Sequence, residues 1–343
     1  GIAVYASDAG SIADAVRAEL VACGADVESP GHDLARIARA ALVVASPGVP
    51  PTAPPLAAAT AARVPIVGEL EVALAALPAL RYIATTGTNG KTTTTALIGQ
   101  LLRALGHDAV DAGNIGTPLA EYALRPSPPT WAALETSSFQ LHDLPGIVPT
   151  VGVVTNLAPD HLDRYDSLEA YYGDKARLFR NATPASRWVL NGDQREVLDL
   201  WRLLPADAGG RPVRLDGHVA RFSLTARADA WYDRVADRLV LHDAPLLARA
   251  ELPLVGDHNV ANALAAVLAV AEADAAHRSP AARAAMADAL RTFHALEHRL
   301  EPVPTRDGVL WLNDSKATNV GSTLVAVQGM TRPFVLLLGG RHK

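Results

Sequence analysis

Short apolar runs of the buried-strand kind recur along this chain at 2–5, 41–45, 80–84, 131–134, 150–155, 188–190, 309–312 and 335–338. Stretches with helical spacing fall between them, at 11–23, 92–105, 168–180 and 259–271, with one more after Ser322. Ser11 is placed to cap the first helix and Gly24 stands just past its end. Strands alternating with helices predict an α/β fold built on parallel sheet. Two stretches depart from the alternation. The Pro-rich segment 47–55 reads as a loop, and 211–255 alternates apolar and polar residues over short runs, which predicts small antiparallel strands. The pattern divides into three regions, 1–69, 70–296 and 297–343, with no internal repeat.

Composition narrows the function classes. With 343 residues, 49% of them hydrophobic, the chain has ample material for a core in two or three domains. A formal net charge of -5 and a pI near 6.1 argue against nonspecific nucleic-acid binding. Cys23 is the sole cysteine, so an internal disulfide and a thiolate metal cluster are both excluded. The first residues lack the charged and apolar regions of a signal peptide, and the longest apolar stretch, 260–271, is interrupted by Asn262 and too short to span a bilayer. A cytoplasmic protein without membrane partners is the expectation. Only four of the 31 basic residues are lysine, namely Lys91, Lys175, Lys316 and Lys343. Where Arg is the default cation, a retained Lys suggests a need for a compact charge or a primary amine.

The sharpest motif is Thr85-Thr86-Gly87-Thr88-Asn89-Gly90-Lys91-Thr92-Thr93, between a strand and a helix. Gly87 and Gly90 permit backbone N–H groups to turn around phosphate oxygens, the helix start adds its positive end, Lys91 supplies a point charge and Thr92 a hydroxyl for Mg²⁺. The generic signature has Gly where this chain has Thr85.

Other candidates stand at strand ends. Glu135 is either a Mg²⁺ ligand or a solvated carboxylate. His161, in the loop Asn156-Leu157-Ala158-Pro159-Asp160-His161, is a metal ligand or a structural histidine. Lys175 lies on the next helix. Asn114 sits in a Gly-flanked turn that can offer its amide to a ligand. Asn259 and Asn262 share a helical face, suited to a base or to a helix cap. The polar string Asn313-Asp314-Ser315-Lys316-Ala317-Thr318-Asn319 follows the strand at 309–312.

Taken together, the loop at 86–93, Gly113-Asn114-Ile115-Gly116, and the strings at 134–141, 160–165 and 313–319 resemble the Mur ligase family, in which the missing Gly at Thr85 is normal. The resemblance implies a Rossmann-like N-terminal domain over 1–69, a central P-loop ATPase domain with a parallel sheet over 70–296, and a partial Rossmann-like C-terminal domain from 297. It implies an ATP-dependent ligase joining a carboxylate to an amine through an acyl phosphate, with UDP-N-acetylmuramoyl-L-alanine and D-glutamate as substrates and a monomer as the working form. Gly87, Thr88, Asn89, Gly90, Lys91, Thr92 and Thr93 are implied to bind ATP phosphates, and Asn259, Asn262, Arg299 and Asp314 its adenosine side. Thr92 and Glu135 are implied to hold one Mg²⁺, and His161 with a carbamate on Lys175 a second. Lys91, Glu135, His161 and Lys175 make up the catalytic set. Asp8, Ser46, Gly48, Asn114 and Ser137 are implied to face the nucleotide sugar, and Lys316, Thr318 and Lys343 the incoming amino acid. Against that pattern the sequence lacks a leading strand and most of the last domain, so a fragment is expected. The rival readings are another ligase of the superfamily, a P-loop switch NTPase, and a binding module without turnover.

Overall fold

The computed structural model describes residues 1–205, 214–318, 320–330 and 332–339, arranged as two compact units, Gly1–Val72 and Ala73–Lys343. In the first unit, β1 (Val4–Ser7), α1 (Asp14–Ala22), β2 (Ala25–Glu28), α2 (Leu34–Ile37), β3 (Val43–Ala45), α3 (Pro54–Ala61) and β4 (Ile66–Gly68) lead to α4 (Glu69–Ala76) at the unit boundary. The parallel pairing expected there is present, but as two separate pairs, β1–β2 and β3–β4. Ser11 does not cap α1: the N-cap is Ala13, with no side-chain bond, and the Ser29 hydroxyl takes the nearby Ile12 amide at 3.0 Å.

The second unit continues with β5 (Arg81–Thr86), α5 (Lys91–Ala104), β6 (Ala109–Gly113), α6 (Leu119–Ala123), β7 (Trp131–Glu135), α7 (Ser138–His142), β8 (Val151–Val154), α8 (Leu168–Ala176), β9 (Arg187–Asn191) and α9 (Arg195–Leu198). Next come β10 (His218–Ser223), β11 (Ala230–Asp233), β12 (Arg238–Leu241), β13 (Ala244–Ala248), α10 (Asp257–Ala273) and α11 (Pro280–Arg291). The last elements are β14 (Glu301–Arg306), β15 (Val309–Asn313) and α12 (Val320–Gln328).

Nine of these strands form one sheet in the order β13-β12-β11-β10-β9-β8-β5-β7-β6. Every pair from β6 to β11 is parallel, and β11, β12 and β13 are antiparallel neighbours. The region at 211–255 therefore does not build a sheet of its own. Its first strand aligns with β9, and only the outer hairpins run antiparallel. The central strands are apolar on both faces, as a parallel sheet covered by helices requires. α5, α10 and α11 join β5, β7, β8, β9 and the outer strands in one buried cluster. The mostly apolar course of α10, buried from Val260 through Ala273 except at Ala261 and interrupted only by Asn262 and Glu272 over that span, reflects that central place.

β14 and β15 form a hairpin over Asp307-Gly308, both with positive φ (52° and 78°), as a two-residue turn of primed type demands. The strand expected at 335–338 is absent. Those residues pair with nothing among the described residues and are exposed, and an extended segment becomes a strand only when a neighbour takes its hydrogen bonds. Among the described residues no helix is long and apolar enough to cross a membrane.

Candidate active site at the C-terminal edge of the sheet

The chain reverses its strand order around β5, which lies between β7 and β8. Parallel sheets bind ligands in the crevice beyond their strand ends at such a point. The 86–93 loop leaves β5 there and enters α5. Gly87 has φ +142°, and a Cβ on it would lie 2.1 Å from the Thr155 hydroxyl oxygen. Gly90 has φ +80°, and a Cβ there would lie 2.3 Å from Asn262 Oδ1. Both glycines are thus required by conformation and by close approach.

The loop after β8 braces the phosphate loop. The Thr88 amide donates to the Asn156 carbonyl at 2.8 Å, the Asn89 amide to Asn156 Oδ1 at 2.9 Å, and Asn156 Nδ2 returns a bond to the Asn89 carbonyl at 2.7 Å. Thr155 Oγ1 also donates to that carbonyl at 2.7 Å. Two of the amides expected to face phosphate are therefore engaged with Asn156. The amides at the start of α5 have no intrahelical acceptor and are suited to an anion. Lys91 Nζ donates to the carbonyls of Gly87 (3.0 Å) and Thr88 (2.8 Å). Burial pushes its pKa down, Glu135 opposes that, and Arg299 adds to it.

Glu135 closes β7 and is only 2% exposed. Asn114 Nδ2 donates to its Oε1 at 2.8 Å, while its Oε2 is buried with no hydrogen-bond partner. An orphaned carboxylate oxygen beside a phosphate loop fits a cation ligand, because leaving it unpaired is costly. Thr92 Oγ1 accepts from Arg299 Nη2 at 2.8 Å and keeps a second lone pair for a cation. Among the described residues no three His, Cys, Asp or Glu side chains converge as a ready-made metal centre. A Mg²⁺ here must draw on phosphate oxygens and water as well, which is how this ion is ordinarily bound beside a nucleotide.

Lys175 is the second unusual cation. It is 1% exposed, donates to the Gly87 carbonyl at 2.8 Å and lies 4.5 Å from the Tyr171 ring centroid. Burial and then the neighbouring Lys91 charge push its pKa well down, toward the neutral amine. His161, with φ 55°, packs edge-on against Tyr171 (5.8 Å) and Phe139 (5.3 Å). Burial, with smaller contributions from Lys175 and Lys91, lowers its pKa against the pull of Asp160, which favours the neutral imidazole that binds metal.

Several expected residues have hydrogen-bond partners within the protein. Asn262 Nδ2 donates to Asn259 Oδ1 (3.1 Å), Asn259 Nδ2 to the Val255 carbonyl (2.8 Å), and Thr94 Oγ1 to Asn262 Oδ1 (3.3 Å), so this buried pair braces the loop and α10. Arg299 Nη2 donates to Thr92 Oγ1 at the start of α5. Asp314 Oδ1 accepts from the Leu300 amide at 3.1 Å, and burial raises its pKa. Ser137 forms a capping box with Gln140 at the start of α7. Lys316 and Thr318 are exposed, and Lys343 and Asn319 lie outside the described residues. Asp8, Ser46 and Gly48 are exposed in the first unit, where Asp8 Oδ1 accepts from the Gly10 amide at 2.7 Å. Sequence reasoning missed Thr155, Asn156 and Ser322, whose hydroxyl donates to Asn89 Oδ1 at 2.9 Å. Strand order brings Thr155 and Asn156 to the loop, and packing outside the main sheet brings Ser322 on α12; neither carries a local signal.

Comparison with known proteins gives this geometry a family. The model of the Mur ligase middle domain matches residues 85–270. The UDP-N-acetylmuramoylalanine–D-glutamate ligase of Syntrophotalea carbinolica is 37% identical over 333 residues, covering 95% of this chain and 69% of the relative. The protein of the same name from Salinibacter ruber is 36% identical over 347 residues, covering 99% and 73%. In fold, the chain is similar to the UDP-N-acetylmuramate-alanine ligase of Thermotoga maritima, with a TM-score of 0.54 at 20% identity over 96% of this chain and 77% of that one. A glycine-containing strand-to-helix loop, an orphaned carboxylate and a buried lysine at one sheet edge, in a sequence this close to such relatives, lead to one conclusion: the chain belongs to the Mur ligase family, as an ATP-dependent ligase of peptidoglycan synthesis.

Proposed function

We propose that this ligase adds D-glutamate to UDP-N-acetylmuramoyl-L-alanine in the cytoplasm, acting as a monomer. The reading is supported by relatives whose names state that reaction. The observation that carries the chemistry is the pair of buried groups flanking the glycine-rich loop: Glu135 Oε2 without a hydrogen-bond partner, and the amine of Lys175, whose hydrogen bond goes to the Gly87 carbonyl. Mur ligases use ATP and Mg²⁺. When bound, Mg²⁺ neutralises phosphate charge. Glu135 and Thr92 would hold one ion, and His161 with Lys175 a second.

The start of α5 and Lys91 hold the triphosphate so that its γ-phosphorus faces the acceptor's carboxylate. That carboxylate takes the phosphoryl group and ADP leaves. The amine of D-glutamate then adds to the acyl carbon, phosphate departs, and the amine loses one proton. Lys175 contributes as a carbamate: its neutral amine bonds the carbon of CO₂ and releases a proton, giving an anionic oxygen ligand that Arg cannot form. Lys316, Thr318 and Lys343 would receive the amino acid, and Asp8, Ser46, Gly48, Asn114 and Ser137 the nucleotide sugar.

One set of assays tests the reading. ADP release should require both UDP-N-acetylmuramoyl-L-alanine and D-glutamate, and intact mass in bicarbonate should place one CO₂ on Lys175. Turnover that ignores the amino acid would favour a switch NTPase and remove the ligase specificity. An unmodified, fully active protein would remove the carbamate alone.

A further inference from the structure

The mechanism leaves the buried carboxylate next to Lys175 without a role. Asp174 is 8% exposed and stands on α8 immediately before Lys175. Its Oδ1 lies 2.9 Å from His142 Nδ1, at the end of α7, and 2.9 Å from Arg177 Nε, one turn along α8. Its Oδ2 accepts the Tyr165 hydroxyl at 3.0 Å. The loop after β8, the end of α7 and the body of α8 are therefore tied through a single side chain. Arg177 adds a second tie by donating to the His142 carbonyl at 3.0 Å.

Two lines of contact lead from this carboxylate to the reacting edge. Successive residues on a helix point about 100° apart, so fixing Asp174 toward α7 sets the roll of α8 and directs Lys175 to the Gly87 carbonyl. The second line runs through rings. Tyr165 stacks on Phe139 (5.5 Å, 16°) and tilts against Tyr171 (5.3 Å), and both Phe139 and Tyr171 pack edge-on against His161. The two residues that would hold a second cation are thus each located by an element that Asp174 holds.

We propose that Asp174 is a positioning residue for the ligase reaction, setting Lys175 through the roll of α8 and His161 through the Tyr165–Phe139–Tyr171 ring cluster. The proposal rests on the reading of His161 and Lys175 as the second cation's ligands. Partners that orient metal ligands typically cost 10- to 100-fold in metal affinity or activity when changed. Asp174→Asn keeps the shape and removes the charge that pairs with His142 and Arg177. Tyr165→Phe removes one bond and keeps the stack.

In the ligase assay, Asp174→Asn should lower kcat roughly 10- to 100-fold and raise the Mg²⁺ concentration for half-maximal rate by about tenfold, with KM for D-glutamate within about twofold of the parent. Tyr165→Phe should move kcat and the Mg²⁺ midpoint in the same direction by less. The double variant should be no worse than Asp174→Asn, because both changes break one network. Asp174→Glu, which restores the charge, should recover part of the rate. A folded Asp174→Asn protein with the parent's kcat and Mg²⁺ midpoint overturns the proposal. If Asp174→Asn does not fold, Tyr165→Phe decides: a raised midpoint supports positioning, and an unchanged one overturns it. Lys175→Arg separates the two layers. Full activity there removes the ligand reading itself, whereas an inactive Lys175→Arg beside a normal Asp174→Asn removes only the positioning role.

Discussion

At the scale of single residues, the site depends on groups whose environment is set by very close neighbours. Gly90 is one: its φ of +80° disfavours any side chain, and Asn262 Oδ1 occupies the space a Cβ needs. Gly90→Ala must carry about 1–2 kcal/mol of left-handed strain and displace the buried Asn262 amide. ATP affinity, measured by titration calorimetry, should fall at least about tenfold, since each 1.4 kcal/mol is a factor of ten. Unchanged affinity would show that the loop does not need this shape. The lysine economy of the sequence was informative at this scale. In an arginine-rich chain it marked four lysines, and the fold brings two of them, Lys91 and Lys175, to the same Gly87 carbonyl, while Lys316 is exposed. What the sequence could not show is that Asn259 and Asn262 bond to one another. A shared helical face states that two amides are neighbours, and whether they turn outward to a ligand or inward depends on what packs over them.

At the scale of elements, Glu272 shows how the outer strands are fastened. It lies near the end of α10, 3% exposed. Arg278 (2.6 Å), Arg187 of β9 (3.1 Å), His242 in the β12–β13 turn (3.4 Å) and His218 at the start of β10 (3.7 Å) surround it. Burial alone would push its pKa up, but the His242 hydrogen bond and the charges of Arg278, His218 and His242 outweigh burial and hold it below the ordinary value of 4.5. A depressed carboxylate stabilises the fold above its unfolded pKa, and that contribution fades as pH falls through the folded value. Glu272→Gln should therefore lower stability by about 1–3 kcal/mol at pH 7, and the gap from the parent should narrow below pH 4.5. Denaturant melts at the two pH values check this, and a gap that widens in acid would contradict it. Helix and strand order were legible because periodicity is a local property. The direction of β10 was not legible, because alternation fixes a buried face and leaves open which neighbour a strand joins, or in what sense.

At the scale of the molecule, a ligand held only by the folded second unit must stabilise it by mass action. ATP with Mg²⁺ at about 100 times its dissociation constant should add about 2.7 kcal/mol, seen as a rise of several degrees in that unit's melting transition. Lys91→Ala should abolish the rise. An equal rise in the variant would detach nucleotide binding from the loop. By itself, the sequence determined the α/β alternation, the phosphate loop with its two glycines and lysine, and the set of chemically marked residues, because each is encoded within a few neighbouring positions. Tertiary structure alone decided that β5 lies between β7 and β8. Strand order is a long-range choice made by packing, and it brings Asn156 to the loop and Glu135 to the same edge, while packing outside the sheet brings Arg299 to Thr92. It also decided that 335–338 makes no strand among the described residues, since an apolar run acquires that form only from a partner's hydrogen bonds.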